Sequence, residues 1–121
     1  MELCNEIVIR GLLERHGFRF SRSMGQNFLI DPSIPAAIAE ASGADEGCGV
    51  LEIGPGIGPL TAELAKRAGK VVSIELDRAL LPVLAETVGN LPNVEIVPGD
   101  ALRRDLEGLI AETFQGLTPM V

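Results

Sequence analysis

The sequence has few of the residue types that build metal sites and aromatic cores. Its 121 residues include no tryptophan or tyrosine, four phenylalanines, one histidine and two cysteines. The cysteines, Cys4 and Cys48, lie far apart and match no metal-ligand spacing, so we interpret them as reduced thiols and expect no metal site. With so few aromatic residues the core must be aliphatic, which is typical of a parallel sheet flanked by helices.

Long apolar runs are also missing. No segment approaches the roughly 18 consecutive apolar residues of a membrane helix. Glu2 and Glu6 interrupt the start of the chain, where a signal peptide would be apolar. The sequence therefore predicts a soluble, cytoplasmic protein with no membrane contact, and its length indicates one domain.

Positive charge is scarce and unevenly placed. Lysine and arginine number 10 against 17 acidic residues, a net charge of −7. The first 30 residues carry four arginines and three glutamates, so the acidic excess lies in residues 31–121. An acidic field repels phosphate backbones, so any contact with nucleic acid should be local. The arginine-containing N-terminus is the best candidate for that contact, and Arg19 and Arg22, which lie in the loop of residues 18–30, are its candidate RNA-binding residues.

Short apolar runs alternate with helical patterns along most of the chain. Strands are predicted at 49–53, 71–74 and 94–97, with a fourth strand beginning at Met120-Val121. Helices are predicted at 2–16, from Asp31-Pro32 to Gly43, at about 59–68, from Asp77 to about Val88, and weakly at 102–112. This alternation predicts an α/β fold with a parallel sheet built from βαβ units.

Two of the predicted helices carry further local signals. In the helix after Asp31-Pro32, the apolar residues Ile34, Ala37, Ile38 and Ala41 recur at helical spacing, and Gly43 ends the helix. In the helix after Asp77, Pro82 lies near the first turn, so we expect that turn to be irregular.

A glycine-rich loop follows the first predicted strand, with the sequence Glu52-Ile53-Gly54-Pro55-Gly56-Ile57-Gly58. It stands at the carboxyl end of a strand and before a helix, where open parallel sheets bind ligands and where helix N–H groups attract anions. A dinucleotide fingerprint has glycines at its first, third and sixth positions, but the sixth position here is Pro59. The spacing of the glycines disfavours NAD binding. A tight strand-to-helix turn that binds no ligand is the other alternative to a nucleotide site.

Acidic residues end the next two predicted strands. Glu75 follows the second strand, 21 residues after Gly54, and can accept hydrogen bonds from both hydroxyls of a ribose. Asp100 follows the third strand and can accept from the exocyclic amine of an adenine. The loop glycines and the two acceptors stand in the order in which a nucleoside would lie across the sheet.

The glycine loop with Glu52 two positions before Gly54 resembles the S-adenosylmethionine motif of methyltransferases. Together with the segment Ser23-Met24-Gly25-Gln26-Asn27-Phe28-Leu29, the chain resembles the ribosomal RNA adenine N6,N6-dimethyltransferases from about Phe20 to its end. Met24 departs from the usual phenylalanine or leucine of that family, which is a conservative apolar change. The macrolide-resistance methylases are relatives of the same family.

The resemblance implies a partial Rossmann-like methyltransferase fold, with strands 1–3, the start of strand 4 and their helices. It implies that residues 1–30 form an N-terminal helix and a cofactor and RNA loop, and that residues 31–121 form the cofactor-binding core. The cofactor would be S-adenosylmethionine, and the partner would be small-subunit rRNA in the immature 30S subunit. The implied cofactor contacts are Gln26, Asn27, Leu29, Glu52, Gly54, Gly56, Glu75, Asp100 and Ala101.

The resemblance also implies dimethylation of N6 on two adjacent adenines near the 3′ end of small-subunit rRNA. In the family an Asn-Leu-Pro-aromatic motif after the fourth strand presents the adenine, and no such motif occurs here. Asn90-Leu91-Pro92 is followed by Asn93 and precedes the third strand, so we interpret it as a turn. We therefore expect an N-terminal fragment, without its helical C-terminal domain, that is inactive alone. A non-catalytic RNA-binding or ribosome-assembly protein is the alternative.

Overall fold

Four parallel strands form the centre of the molecule in the computed structural model, which describes residues 2–18 and 31–121. In chain order the strands are β1 Cys48–Ile53, β2 Lys70–Glu75, β3 Val94–Pro98 and β4 Thr118–Met120. They lie in the order β3-β2-β1-β4, and every neighbouring pair is parallel. The predicted α/β fold with a parallel sheet is confirmed, including the start of a fourth strand.

Helices cover both faces of this sheet. They are α1 Glu6–Arg15, α2 Ser33–Ser42, α3 Pro59–Ala65, α4 Leu81–Thr87 and α5 Leu106–Thr113. A 3-10 turn, Arg78–Leu80, precedes α4, and the Asp77 side chain accepts from the Ala79 N–H at 2.9 Å. The predicted irregular first turn before Pro82 is thus confirmed. None of the helices in the described ranges is long and apolar enough to cross a bilayer.

Alternate residues of β1 enter different cores, as a strand buried on both faces requires. Val50 packs with Ala39 of α2 and Leu64 of α3 on one face. Leu51 packs on the other face with Leu109 and Phe114, which belong to α5 and its end. The sheet is therefore the middle of three layers.

A third apolar cluster attaches the N-terminal helix to the rest of the protein. Leu12 and Leu13 of α1 are fully buried against Val83 and Leu84 of α4. Ile57 of the glycine loop lies in the same cluster and is 1% exposed. The N-terminal helix and the glycine loop therefore share one apolar core.

The helix predicted after Asp31-Pro32 is confirmed as α2, but its periodic apolar residues are not the ones that pack. Ile34 and Ile38 are 44% and 47% exposed, whereas Pro35 and Ala39 are buried. The helix packs through these small residues because they allow close approach to α3. It also begins at Ser33 rather than Pro32, with the Asp31 carboxylate accepting from the Ser33 N–H at 2.9 Å.

Other helix boundaries also differ from the predicted ones, and two of these differences arise because side chains cap the backbone. The helix predicted at 102–112 begins at Leu106, since the Asp105 carboxylate accepts from the Gly108 N–H at 3.0 Å. The helix predicted to end near residue 68 ends at Ala65. The Asn93 amide donates to the carbonyls of Ala65 and Ala68, at 2.8 and 3.1 Å, and satisfies the end of α3.

Gly49 in β1 is a position where the fold admits no side chain. A Cβ there would overlap the buried Phe114 ring, with Cε1 at 2.8 Å the farthest of the three nearest ring atoms. We expect Gly49→Ala to lower the free energy of unfolding by about 1–3 kcal/mol, the usual cost of overpacking. Denaturant unfolding followed by circular dichroism measures this change.

Gly11→Ala in α1 is the matched control for Gly49→Ala. Its Cβ would meet Arg15 Nη1 at an ordinary 3.6 Å, and alanine favours a helix interior over glycine. We expect stability to be unchanged or raised. Equal effects of the two substitutions would contradict the packing account of Gly49.

Candidate functional site

The glycine loop turns the chain from β1 into α3 through three left-handed residues. Gly54, Gly56 and Gly58 have φ values of 73°, 63° and 101°, which L side chains rarely adopt. The Gly54 N–H donates to the Ile74 carbonyl of β2 at 3.0 Å, so the start of the loop is tied to the neighbouring strand. The alternating glycines are required by backbone conformation.

The Glu75 carboxylate is held at the tip of β2 by backbone donors. Its Oε1 accepts from the Gly56 N–H at 3.3 Å, and its Oε2 accepts from the Asp77 N–H at 3.0 Å. The residue is 7% exposed. An ionised carboxylate has about four acceptor positions, so each oxygen can still accept a hydrogen bond from a ligand.

Asp100 occupies the corresponding place after β3. Its Oδ1 accepts from the Leu102 N–H at 2.9 Å, and its Oδ2 lies 3.8 Å from Nε of Arg103. The Gly99 N–H donates to the Glu75 carbonyl at 3.0 Å, which extends the β2–β3 pairing up to this turn. The two acidic side chains therefore stand on adjacent strand ends.

A cleft of about 320 Å³ opens between these strand ends. It is lined by Ile53, Gly54, Ile74, Glu75, Leu76, Gly99, Asp100, Ala101, Leu102 and Leu106. Four of the predicted cofactor contacts, Gly54, Glu75, Asp100 and Ala101, are thus brought together. The sequence analysis missed the apolar part of the lining, of which Leu76 and Leu102 are 68% and 95% exposed. The available signal was their position in the sequence: Leu76 directly follows Glu75, and Leu102 follows Asp100 and Ala101.

Glu52 and Gly56 lie close to this cleft but do not line it. Gly56 directs its N–H at Glu75 instead. Glu52 is 9% exposed, and its Oε1 accepts from the hydroxyls of Thr61 and Ser73, the latter at 2.7 Å. Burial raises the pKa of Glu52, the two hydroxyl donors oppose that rise, and the negative charge of Glu75 adds to it.

Thr61 and Ser73 are the other residues that the sequence analysis missed. Both are fully buried, Thr61 in α3 and Ser73 in the middle of β2. Ser73 is the one hydroxyl in the apolar run Val71–Ile74, and that interruption was the available signal.

Five of the predicted site residues lie outside the described residues. These are the candidate cofactor contacts Gln26, Asn27 and Leu29 and the candidate RNA contacts Arg19 and Arg22. They stay predictions.

Asn90-Leu91-Pro92 forms a turn between α4 and β3, as predicted. It lies before β3, at the opposite end of the strand from the cleft, and the Val94 N–H donates to the Leu91 carbonyl at 3.2 Å. A groove of about 340 Å³ near it runs along α3 and contains none of the predicted site residues.

Comparison with known proteins gives a consistent family. Residues 17–118 match the family model described as ribosomal RNA adenine dimethylase. Ribosomal RNA small subunit methyltransferase A of Shouchella clausii is 53% identical over 103 residues, covering 85% of this chain and 35% of the relative. The chain therefore spans about a third of the length of that relative.

Solved structures share the fold. The 23S rRNA methyltransferase ErmE is 32% identical, with a TM-score of 0.59 over 74% of this chain and 43% of the other. The N-terminal domain of EvdMO1, solved with S-adenosylhomocysteine (SAH) bound, has a TM-score of 0.62 at 22% identity over 89% of this chain and 51% of that one. The second likeness supports the fold alone.

The buried Glu52 carboxyl makes stability depend on pH. Since its pKa is raised in the folded state, the folded protein binds a proton more readily than the unfolded chain. The resulting stabilisation is present at low pH and is lost as pH rises from the ordinary value of 4.5 through the raised value. We expect Glu52→Gln to remove this component, so that its unfolding free energy falls less steeply with rising pH than that of the wild type.

Denaturant unfolding at a series of pH values tests this expectation. Glu95→Gln is the control because Glu95 is exposed on β3. Parallel stability profiles for Glu52→Gln and the wild type would contradict the account.

Proposed function

Since the chain belongs to the ribosomal RNA adenine dimethylase family, we propose that its cleft binds S-adenosylmethionine. The observation that carries this proposal is the row formed by Gly54, Glu75 and Asp100 at the ends of β1, β2 and β3. Ligands of open parallel sheets bind at this end of the strands.

The residues of the cleft fit the adenosine part of that cofactor. Glu75 has free acceptor positions for two ribose hydroxyls, and Asp100 has them for the exocyclic amine of adenine. Leu76 and Leu102 offer exposed apolar surfaces for the purine ring. A cleft of about 320 Å³ with apolar walls and a few convergent polar groups is an ordinary small-molecule site.

The strand order supports one orientation of the cofactor in the cleft. With adenine at β3 and ribose at β2, the methionine end lies toward β1 and the glycine loop. When bound, the cofactor supplies a methyl group already activated by the sulfonium. The residues of this chain need only bind and orient it, with no acid–base step of their own.

For the whole protein we propose dimethylation of N6 on two adjacent adenines near the 3′ end of small-subunit rRNA, during ribosome biogenesis. The relative named ribosomal RNA small subunit methyltransferase A supports this substrate class. The target base has to leave its stack to reach a buried methyl donor. Arg19 and Arg22 are the proposed RNA contacts, because the rest of the chain carries an acidic excess.

The Glu75 carboxylate tests the cofactor proposal. We expect Glu75→Ala to weaken S-adenosylmethionine binding about 10- to 100-fold, the loss of charge-assisted hydrogen bonds worth about 1.5–3 kcal/mol. Isothermal titration calorimetry measures the change, with Glu95→Ala at an exposed residue of β3 as the control. Unchanged affinity in Glu75→Ala would refute the ribose assignment.

The catalytic activity of the 121-residue chain by itself tests the expectation that it is inactive alone. A non-catalytic RNA-binding or assembly protein that uses the same fold is the alternative function. We expect the chain to bind S-adenosylmethionine but to form no dimethyladenine on small-subunit RNA, because its sequence contains no Asn-Leu-Pro-aromatic motif to present the base. Mass spectrometry of digested RNA measures the product, and a full-length relative serves as the positive control. Dimethyladenine formed by the chain would overturn this expectation.

A further inference from the structure

Glu52 is a buried carboxylate for which the described residues supply no cationic partner. Its Oε1 accepts from Thr61 and Ser73, and among residues 2–18 and 31–121 no lysine, arginine or histidine forms an ion pair with it. Buried charges in proteins are usually paired because removing them from water is costly. The described part of the chain satisfies this charge with two neutral donors only.

The surroundings of Glu52 otherwise disfavour its ionised form. Burial raises its pKa, and the Glu75 carboxylate on β2 acts in the same direction through space. Glu63 of α3 and Lys66, the residue after that helix, pair with each other at 3.0 Å, and Lys66 is largely exposed. The hydroxyls of Thr61 and Ser73 are therefore the groups that oppose protonation.

These two hydroxyls come from different elements and meet at one oxygen. Glu52 and Ser73 are register partners across β1 and β2. Thr61 belongs to the first turn of α3, immediately after the glycine loop. Both donors use Oε1, so no described hydroxyl occupies Oε2.

We propose, on the basis of the proposed function, that Thr61 and Ser73 are positioning residues for the positively charged methionine end of S-adenosylmethionine. They favour the ionised form of Glu52 against its burial and fix one of its oxygens, which leaves the other oxygen as acceptor for a cation at the β1 end of the site. The ligand then supplies the positive charge that this buried carboxylate lacks among the described residues.

Removal of one hydroxyl tests the proposal without changing side-chain volume. Thr61→Val removes the donor, and Thr61→Ser keeps it as the matched control. Isothermal titration calorimetry with S-adenosylmethionine from pH 5 to 7.5 gives the affinity profile. We expect Thr61→Val to bind within about twofold of the wild type at pH 7.5 and about three- to tenfold more weakly at pH 5, because one charge-assisted hydrogen bond is lost.

Further variants distinguish a positioning role from a merely structural one. Ser73→Ala should reproduce the pH-dependent loss, and Thr61→Ser should restore the wild-type profile. In a Glu52→Gln background, Thr61→Val should add no pH dependence, since no titrating carboxyl remains. A profile of Thr61→Val that is parallel to the wild type would overturn the proposal.

Titration of the ligand-free protein separates this proposal from the proposed function. Carbon-13 NMR of the Glu52 carboxyl should show its midpoint at higher pH in Thr61→Val and Ser73→Ala than in the wild type. If the wild type fails to bind S-adenosylmethionine, the proposed function fails whatever the midpoints are. If it binds and the midpoints do not move, the positioning role alone is refuted.

Discussion

The parallel pairing of β1 and β2 at the centre of the sheet is the constraint on which the site depends. Their register sets Glu52 beside Ser73 and Ile53 beside Ile74, so both strands end at the same edge. Pairing of β2 with β3 extends that edge as far as Gly99. The glycine loop, Glu75 and the Asp100 turn therefore converge although they are far apart in the chain. Because helices cover both faces of the sheet, this edge is where its polar groups remain accessible to a ligand.

Beneath the edge, polar groups continue into the core. Ser73 and Thr61 are fully buried, yet each has a partner in Glu52. Such a network is stable only when its members are satisfied, because an unpaired polar group in the interior costs about 1–3 kcal/mol. Its cost is reduced further if a cationic ligand completes it. The acidic strand ends of this chain and the cationic cofactor of its family are in that sense electrostatically complementary.

Sequence reasoning was most successful where local signals and function coincide. The left-handed turns at the glycine loop and the acids after β2 and β3 follow from residue type and spacing. For α2 it predicted the helix correctly but not the face that packs, since the periodic residues Ile34 and Ile38 are exposed and the smaller Pro35 and Ala39 are buried. Periodicity identifies a helix, but the neighbouring α3 selects the face that packs. The start of α5 was misplaced for a different, local reason: the Asp105 side chain caps the backbone, so the helix begins at Leu106.

By itself the sequence determined the strand and helix order, the conformation of the glycine loop and the presence of acidic residues at the ends of β2 and β3. These features follow from interactions between residues that are only a few positions apart in the chain. Only the tertiary structure decided which apolar side chains line the cleft and that Thr61 and Ser73 share one oxygen of Glu52. Those contacts join residues 9 and 21 positions apart, and they exist because the sheet register and the α3 packing bring three elements together.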